Sequence, residues 1–414
     1  MVLAGNFGLW RKGTMGSRAL PMARELRAAG HEAVLVVPPW DAPEEADSAV
    51  RAWGVPVRNV AIGGGHAGRA LAMLRAVLAE RPDVVVAVKP KAYAGLLALL
   101  FAAVRPVRLV VDADDWEGRG GWNDLEGRSA SARALIAWHE AACLRLADHV
   151  VVASRELERL ATTVGVPAGR TTYLPNGTWP GAAGWPRGDG ARARAALGLG
   201  GDPVVLLYSR LFEFDLAAFV EAFGRIVRAV PRARLLVVGA GLGGEEARLR
   251  AALGGAGLLE RSALVGWAKR EDVPDLLAAA DVALVPMDDT LVNRCRCSVK
   301  LLDLMLAGRA VVAHAVGQAT AYLRDGESGR LVAPGDTAAF ADAAIALLKR
   351  PSTARRLGRA AERAARSAFA WAAQRESLVR AIVGAPPTFP PLEGRSDPRP
   401  SSPRARRNAA RPCG

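Results

Sequence analysis

The chain has 414 residues, which at roughly 100 to 200 residues per domain predicts two or three domains with ample length for sizeable cores. Hydrophobic residues make up 51% and charged residues 23%, a balance that excludes a disordered or fibrous protein. The net charge of +14 points to a polyanion, but only six of the 55 basic residues are lysines, an arginine skew that fits coding composition; no nucleic acid is expected, and an anionic membrane or a phosphorylated substrate is the better match.

Short β-branched runs alternate with longer Ala-, Leu- and Arg-rich helical patterns, which predicts parallel sheets covered by helices on both faces. The first strands are Val2 to Ala4, Ala33 to Val37, Val84 to Val88, Leu109 to Val111 and His149 to Val152. Their unbroken apolar character is that of strands buried on both sides. Between the first two runs a helix, Arg18 to Ala29, is ended by Gly30. Ala92 to Val104 is the longest apolar run; at 13 residues it is short of the ~20 needed to span a bilayer and predicts a buried helix. No basic start followed by an apolar stretch opens the chain, so no signal peptide is expected. The four cysteines build no disulfide framework, and Cys295 and Cys297 have no second pair for a zinc site; a cytoplasmic location is expected.

A second series of strands begins at Val204 to Tyr208 and continues with Arg234 to Val238, Ala263 to Val265, Val282 to Val285 and Ala310 to Ala313. Helices start at Leu216, Glu245, Val273, Val299 and Thr337. Two doubly wound α/β domains with a cleft between them follow, over 1–180 and 202–368, joined by a Gly-, Pro- and Arg-rich linker at 181–201. A helix in 369–385 is free to pack back on the first domain. Residues 386–414 are rich in Pro, Arg and Ser and predict a disordered basic tail.

Several segments carry chemistry. Lys12 to Ser17, with Gly13 and Gly16, is a glycine-bearing strand-to-helix turn that lets an anion approach backbone N–H groups; a tight turn without ligand fits equally well. Val238-Gly-Ala-Gly, with Gly239 and Gly241, has the same character, and small residues there also serve strand-on-helix packing. From Asp288 onward the chain is most informative. A helix starting at Ser298 offers that hydroxyl and the Val299 amide to a diphosphate, with Lys300 as a point charge and Asp303 placed to accept from ribose hydroxyls. A plain amphipathic helix with a capping serine is the alternative.

The stretch Ser298-Val-Lys-Leu-Leu-Asp-Leu-Met-Leu-Ala-Gly-Arg-Ala-Val-Val resembles the donor-binding segment of family 4 glycosyltransferases. Gly30-His-Glu, Arg81-Pro-Asp-Val-Val, Ala147-Asp-His-Val-Val-Val-Ala-Ser, Leu174-Pro-Asn-Gly and Ala280-Asp-Val-Ala-Leu-Val-Pro agree in order. The resemblance covers Val2 to about Val383. It implies a GT-B fold, two facing Rossmann-like domains with the acceptor on the first and the nucleotide sugar mainly on the second. It further implies retention of anomeric configuration, no metal and no cofactor, the nucleotide sugar being a substrate. Arg210 matches the phosphate arginine, Lys300 joins it as a catalytic residue, Asp303 matches the ribose carboxylate and Gly16 the diphosphate-approaching glycine.

Two departures from the family pattern stand out. Asp215 occupies the place of a phosphate lysine and is expected to repel diphosphate, with Lys300 and Arg294 or Arg296 compensating. Cys295 replaces the first carboxylate of a Glu-x7-Glu pair, so Asp289 and Asn293 are the candidates for the sugar hydroxyls.

For the acceptor, Asp112 to Asn123 follows a strand and combines carboxylates with aromatic faces. Asp114, Asp115, Trp116, Glu117 and Trp122 are its binding candidates, and Lys89 and Lys91 face the same cleft, suited to a phosphate-bearing acceptor. The expected partners are a nucleotide-sugar donor and a glycan or lipid-linked acceptor of the cell envelope, with peripheral contact to an anionic membrane at its inner face. A Rossmann oxidoreductase is the rival enzyme, although no full dinucleotide fingerprint is present. A catalytically silent sugar-nucleotide binder is the non-enzyme rival. Asn176-Gly-Thr178 reads as a turn rather than a glycosylation site.

Overall fold

The computed structural model describes residues 1–104, 107–178 and 186–384, which form two helix-covered sheets. The first contains β1 (Val2–Ala4), β2 (Val34–Val37), β3 (Ser48–Ala52), β4 (Val55–Asn59), β5 (Val84–Val88), β6 (Arg108–Ala113), β7 (His149–Val152) and β8 (Thr171–Tyr173). Their spatial order is β3-β4-β2-β1-β5-β6-β7-β8, parallel except for the β3–β4 pair. Along β5, Val84, Val86 and Val88 enter one core while Val85 and Ala87 enter the other, the period-2 signature of a strand covered on both sides. One face carries α1 (Leu20–Ala28), preceded by a π-helical turn over Met15–Ala19. The other carries α2 (Gly65–Ala79), α3 (Ala92–Val104) and, after the short α4 (Trp122–Leu125), α5 (Ala130–Leu146); α6 (Arg155–Thr163) precedes β8.

After α7 (Gly190–Ala196) the second sheet comprises β9 (Val204–Tyr208), β10 (Arg234–Val238), β11 (Ser262–Gly266), β12 (Val282–Val285), β13 (Ala310–His314) and β14 (Arg330–Val332). Its order is β11-β10-β9-β12-β13-β14, all parallel. Between these strands lie α8 (Leu216–Ala229), α9 (Glu245–Gly255), α10 (Val273–Ala278), α11 (Leu291–Cys295), α12 (Val299–Leu306) and α13 (Ala319–Tyr322). They are followed by α14 (Thr337–Lys349), α15 (Pro351–Arg366) and α16 (Arg375–Val383). In each sheet the winding direction reverses at one place, between β1 and β5 and between β9 and β12. A crevice opens at the carboxyl ends of strands at such a switch point. The loops after β1, β5 and β9 are therefore the ones that topology assigns to a site.

Three differences from the sequence reading have physical causes. The β3–β4 hairpin was not foreseen because its first strand is largely exposed and has no apolar run; its two-residue turn, Trp53-Gly54, has φ of 49° and 82°, the all-positive pattern of a type I′ hairpin without an Asn-Gly pair to announce it. The Ala92 to Val104 helix is not fully buried: Leu96, Leu100 and Val104, spaced by four, face outward. The region between the sheets is not merely a joint, since α7 packs on α10, with Gly188 and Gly190 allowing close approach to the Pro274 and Ala278 carbonyls.

The last helices divide. α15 packs on α12 and β13, whereas Trp371 and α16 cross back to the first sheet and cover the face shared with α1. Arg108 Nε and Nη2 donate to Ile382 O and Ala381 O, anchoring the end of α16. The basic tail, 386–414, lies outside the described residues, as do 179–180 at the end of the expected first domain and 181–185 of the expected linker. Among the described residues, no helix is long and apolar enough to cross a membrane.

Candidate active site

The crevice between the two sheets holds a cavity of about 1040 Å³ with walls drawn from both halves of the chain. On the second sheet's side, β9 ends in Ser209-Arg210, and the backbone turns back through Leu211, whose φ is 64°. Glu213 fixes this turn: it accepts from Ser209 Oγ, from Arg210 N at 3.0 Å and from Arg296 Nη1 at 2.9 Å. Burial opposes its charge, yet Arg296, Ser209 and Lys300 hold it below the ordinary glutamate range. The Arg210 side chain reaches the cavity and lies 5.8 Å from the Trp267 ring; its Nε is buried and has no hydrogen-bond partner among the described residues.

The head of α12 forms the adjoining wall. Ser298 occupies the N-cap, yet its hydroxyl caps no amide of the helix. Ser298, Val299 and Lys300 all line the cavity. Burial, with Arg296 and Arg210 nearby, pushes the Lys300 ammonium down to about 8, against the opposing pull of Glu213 and Asp303. Arg210, Arg296 and Lys300 thus converge with free helix-start N–H groups, an arrangement that stabilises an anion of diphosphate size.

The opposite wall comes from the loops after β1, β5 and β6. Gly13, with φ of 85° and open space around it, lines the cavity beside Lys12. Arg18, in the buried π-helical turn ahead of α1, makes a bidentate ion pair with Asp112 at 2.6 and 2.7 Å and also donates to Leu174 O and Asn176 Oδ1. That pair ties three loop origins together beneath the cleft. Lys89 is buried in a left-handed conformation (φ 58°), and its ammonium lies 2.6 Å from Asp115, 3.4 Å from Glu117 and 3.9 Å from Asp114. Lys91 Nζ donates to Glu117 at 2.6 Å. Asp114 Oδ1 has no hydrogen-bond partner among the described residues, and burial pushes this carboxyl up to about 6 despite Lys89.

Trp122 closes the gap between the walls. Its ring meets Phe212 edge-on at 5.4 Å, and the Arg296 guanidinium lies 5.8 Å from it and 5.2 Å from Phe212. Asn176 adds a second bridge, its Nδ2 donating to Cys297 O at 2.7 Å; the Asn176-Gly-Thr178 segment is buried but is no turn, since Thr178 forms a β-bridge with Ala370.

Of the residues singled out from sequence, the cavity gathers Gly13, Lys89, Lys91, Asp114, Asp115, Glu117, Trp122, Arg210, Ser298, Val299 and Lys300. Others belong to the supporting structure. Gly16 N donates to Leu9 O, and a Cβ there would sit 2.6 Å from that oxygen and 2.7 Å from the Trp10 ring, so this glycine is required for packing rather than for ligand approach. Gly239 lets two strand ends meet at the Ser209 carbonyl, and the Gly241 amide is taken by Glu246, with Leu242 and Gly243 taken by Glu245. Trp116 is buried and donates to Arg119 O, forming the hub on which Gly118 and Gly121 fold. Asn293 Nδ2 bridges Glu213 O and Asp288 O, and the exposed Asp289 pairs with Arg294 at 3.4 Å away from the cavity wall. Asp303 lies behind the wall, facing Tyr208, Lys300 and Arg270, and burial raises it to about 7.

Two expectations about charge are corrected. Asp215 does not repel a ligand in the cleft, because it caps α8 by accepting from Ala217 N and Ala218 N. Lys89 and Lys91 are not spare cations for an acceptor phosphate, since Asp115 and Glu117 already neutralise them. Sequence reasoning missed the Arg18–Asp112 pair, Glu213 and the Phe212, Trp10 and Trp267 rings. Of the last group, Phe212, two residues after Arg210, and Trp10, two residues before Lys12, stand beside segments already singled out; Trp267 has no such neighbour.

Two facing Rossmann-type sheets with a cation-lined cleft at both switch points define a GT-B architecture. The "Glycosyl transferase 4-like domain" description matches residues 13–177 and "Glycosyl transferases group 1" matches 202–350. The chain belongs to the group 1 glycosyltransferases. It is 30% identical over 218 residues to phosphatidyl-myo-inositol mannosyltransferase of Mycobacterium leprae, a match covering 52% of each. The chain spans about half the length of the curated relatives it matches. Among solved structures it is similar to sucrose-phosphate synthase from Thermosynechococcus elongatus, with 20% identity, a TM-score of 0.71 and coverage of 92% of this chain and 98% of that one. It is also similar to Anabaena HepE in complex with UDP-glucose, with 18% identity, a TM-score of 0.69 and the same coverage. At these identities the likeness is one of fold.

Proposed function

We propose that the protein transfers a glycosyl group from a nucleotide-sugar donor to a hydroxyl of a glycan or lipid-linked acceptor, with retention and without a metal, in cell-envelope polysaccharide or glycolipid synthesis at the inner membrane face. The observation that carries this reading is one cavity with two differently built walls. Its second-sheet wall presents Arg210, Arg296, Lys300 and the α12 start, while its first-sheet wall presents Asp114 beside Asp115 and Glu117, which pair with Lys89 and Lys91, and the Trp122 ring. Family membership and the UDP-glucose complex of HepE support a nucleotide sugar at the second-sheet wall.

The chemistry follows from this division. Cleavage of the anomeric C–O bond places negative charge on the departing diphosphate, and cations with fixed amides stabilise that charge more than they stabilise the intact donor. The acceptor hydroxyl then attacks the electron-poor anomeric carbon, and its proton passes to the leaving phosphate oxygen on the same face, the route that gives retention. Asp114, with an unpartnered buried oxygen, orients that hydroxyl. Cations at the diphosphate end take the place a metal would have, so transfer is expected to survive chelation.

A thermal-shift screen against UDP-, GDP-, dTDP- and ADP-sugars and NAD tests the reading. Stabilisation by at least one nucleotide sugar is expected, and stabilisation by NAD alone overturns it. Arg210→Ala and Lys300→Ala are each expected to lose about 2 to 4 kcal/mol of transition-state stabilisation, read as kcat/KM. Near-normal turnover in both variants would remove these residues from catalysis.

A further inference from the structure

Nine of the fourteen exposed large apolar side chains among the described residues fall between Leu71 and Leu146, eight of them on the layer made by α2, α3 and α5 and Leu125 on α4. α3 lies between the other two helices. Leu96, Leu100 and Val104 recur every four residues along α3 and so form one stripe on its outer side, with Val104 65% exposed. Leu78 on α2 and Leu135 and Trp138 on α5 flank that stripe. An apolar patch concentrated in this way marks an interaction surface rather than ordinary surface composition.

The charges on the same helices indicate what covers the patch. α3 carries none; α2 carries Arg69 and Arg75, α5 carries Arg133 and Arg145, and the one acid in the three helices, Glu140, is buried. Leu and Trp on helices whose charged surface side chains are all arginines, with Asp124 of α4 paired to Arg133 at 3.7 Å, are the composition of a surface that lies on anionic lipid, where apolar groups enter the acyl boundary and arginines meet the headgroups. The patch also runs into the catalytic cleft. Leu96, Leu99, Leu135, Ile136 and Trp138 line the outer part of the same cavity whose inner wall holds Asp114 and Glu117. From outside to inside the path thus changes from apolar to carboxylate-lined, the order of an acyl anchor followed by a hydroxylated head.

We infer that the α2–α3–α5 face docks on an anionic lipid bilayer and that the acceptor is lipid-anchored, its anchor leaving the cleft between α3 and α5. The acceptor half of this inference rests on the glycosyl-transfer reading; the docking half does not.

The test separates the two. The full chain is floated with phosphatidylcholine vesicles and with mixed phosphatidylcholine–phosphatidylglycerol vesicles, beside the variant Leu78→Gln/Leu100→Gln/Val104→Gln and the variant Arg75→Glu/Arg145→Glu. All five positions are exposed and none lines the cavity. Wild type is expected to float with the anionic vesicles and far less with the neutral ones, and each variant to lose about tenfold or more of that partitioning. Nucleotide-sugar stabilisation in the thermal-shift assay should be unchanged in both variants, which shows them folded. Failure of wild type to float, or equal flotation of the apolar variant, overturns the inference. A wild-type dimer by light scattering that becomes monomeric in the apolar variant also overturns it, since a second copy then covers the face. Flotation without any nucleotide-sugar response instead removes the glycosyl-transfer reading and leaves the docking intact.

Discussion

Lys300 is the residue through which pH should act on the donor. Burial lowers its ammonium to about 8, so in the free protein the charge is present below that value and is lost as pH rises through it. A bound diphosphate favours the charged form, so nucleoside-diphosphate affinity should weaken as pH rises beyond about 8. In Lys300→Arg the charge persists, and the alkaline loss should move upward or vanish; calorimetric titrations from neutral to about pH 9.5 check this. Glu140 affects stability instead. Burial raises it to about 8, so the folded state keeps its proton while the unfolded chain ionises near its ordinary value of 4.5. Between those two values the native state binds more protons, and stability falls as pH rises. Glu140→Gln should flatten that slope, with its largest gain in Tm near pH 8, because the amide oxygen still accepts from Glu117 N. Lys300 was legible from its place in the Ser298 segment. Glu140 was not, because a helical glutamate reveals its burial only when the sheet beneath it is known.

At the scale of elements, close backbone approaches set where helices stop and cross. Gly358 on α15 faces the turn after α12, and a Cβ there would lie 2.0 Å from Gly308 O and 2.8 Å from its carbonyl carbon. Because the obstacle is backbone, Gly358→Ala should destabilise by about 1 to 3 kcal/mol, read as a drop in Tm with native far-UV dichroism retained. The parallel strands were legible because burial on both faces writes an unbroken Val-Leu run, as in Val84 to Val88. Strands β3, β4, β8 and β14 were not, because β8 and β14 have three residues each and are only partly covered, while polar residues and a proline interrupt β3 and β4. The same distinction explains the site. The helix start at Ser298 has a local pattern, whereas the Gly239–Gly243 loop looks like a phosphate loop in sequence yet spends its amides on Glu245 and Glu246, which lie at its own helix start. The acidic loop was recognised, but the lysines that neutralise it are about 26 residues away, and their pairing depends on β5 and β6 lying side by side.

The whole molecule depends on two passages of the chain between the sheets, one from β8 to β9 and one from α15 to α16. They run together: Thr178 N donates to Phe369 O at 2.7 Å, Thr178 Oγ1 donates to Ala365 O at 2.9 Å, and Thr178 pairs with Ala370 as a β-bridge. Gly177 lies at their closest contact, where a Cβ would be 2.9 Å from Phe369 O, from Trp371 N and from Gln374 Nε2. A methyl group there has to push the two passages apart. Since Trp371 is fully buried in the core of the first sheet, the displacement cannot be absorbed on that side and must change the angle between the sheets. The Trp122 ring, whose contacts with Phe212 and Arg296 span the cleft, would then lose its partners. Gly177→Ala is therefore expected to raise the radius of gyration in small-angle scattering and to raise KM for donor and acceptor together, while far-UV dichroism stays native. If scattering is unchanged and only Tm falls, the paired passages are a staple and not the hinge on which cleft geometry depends.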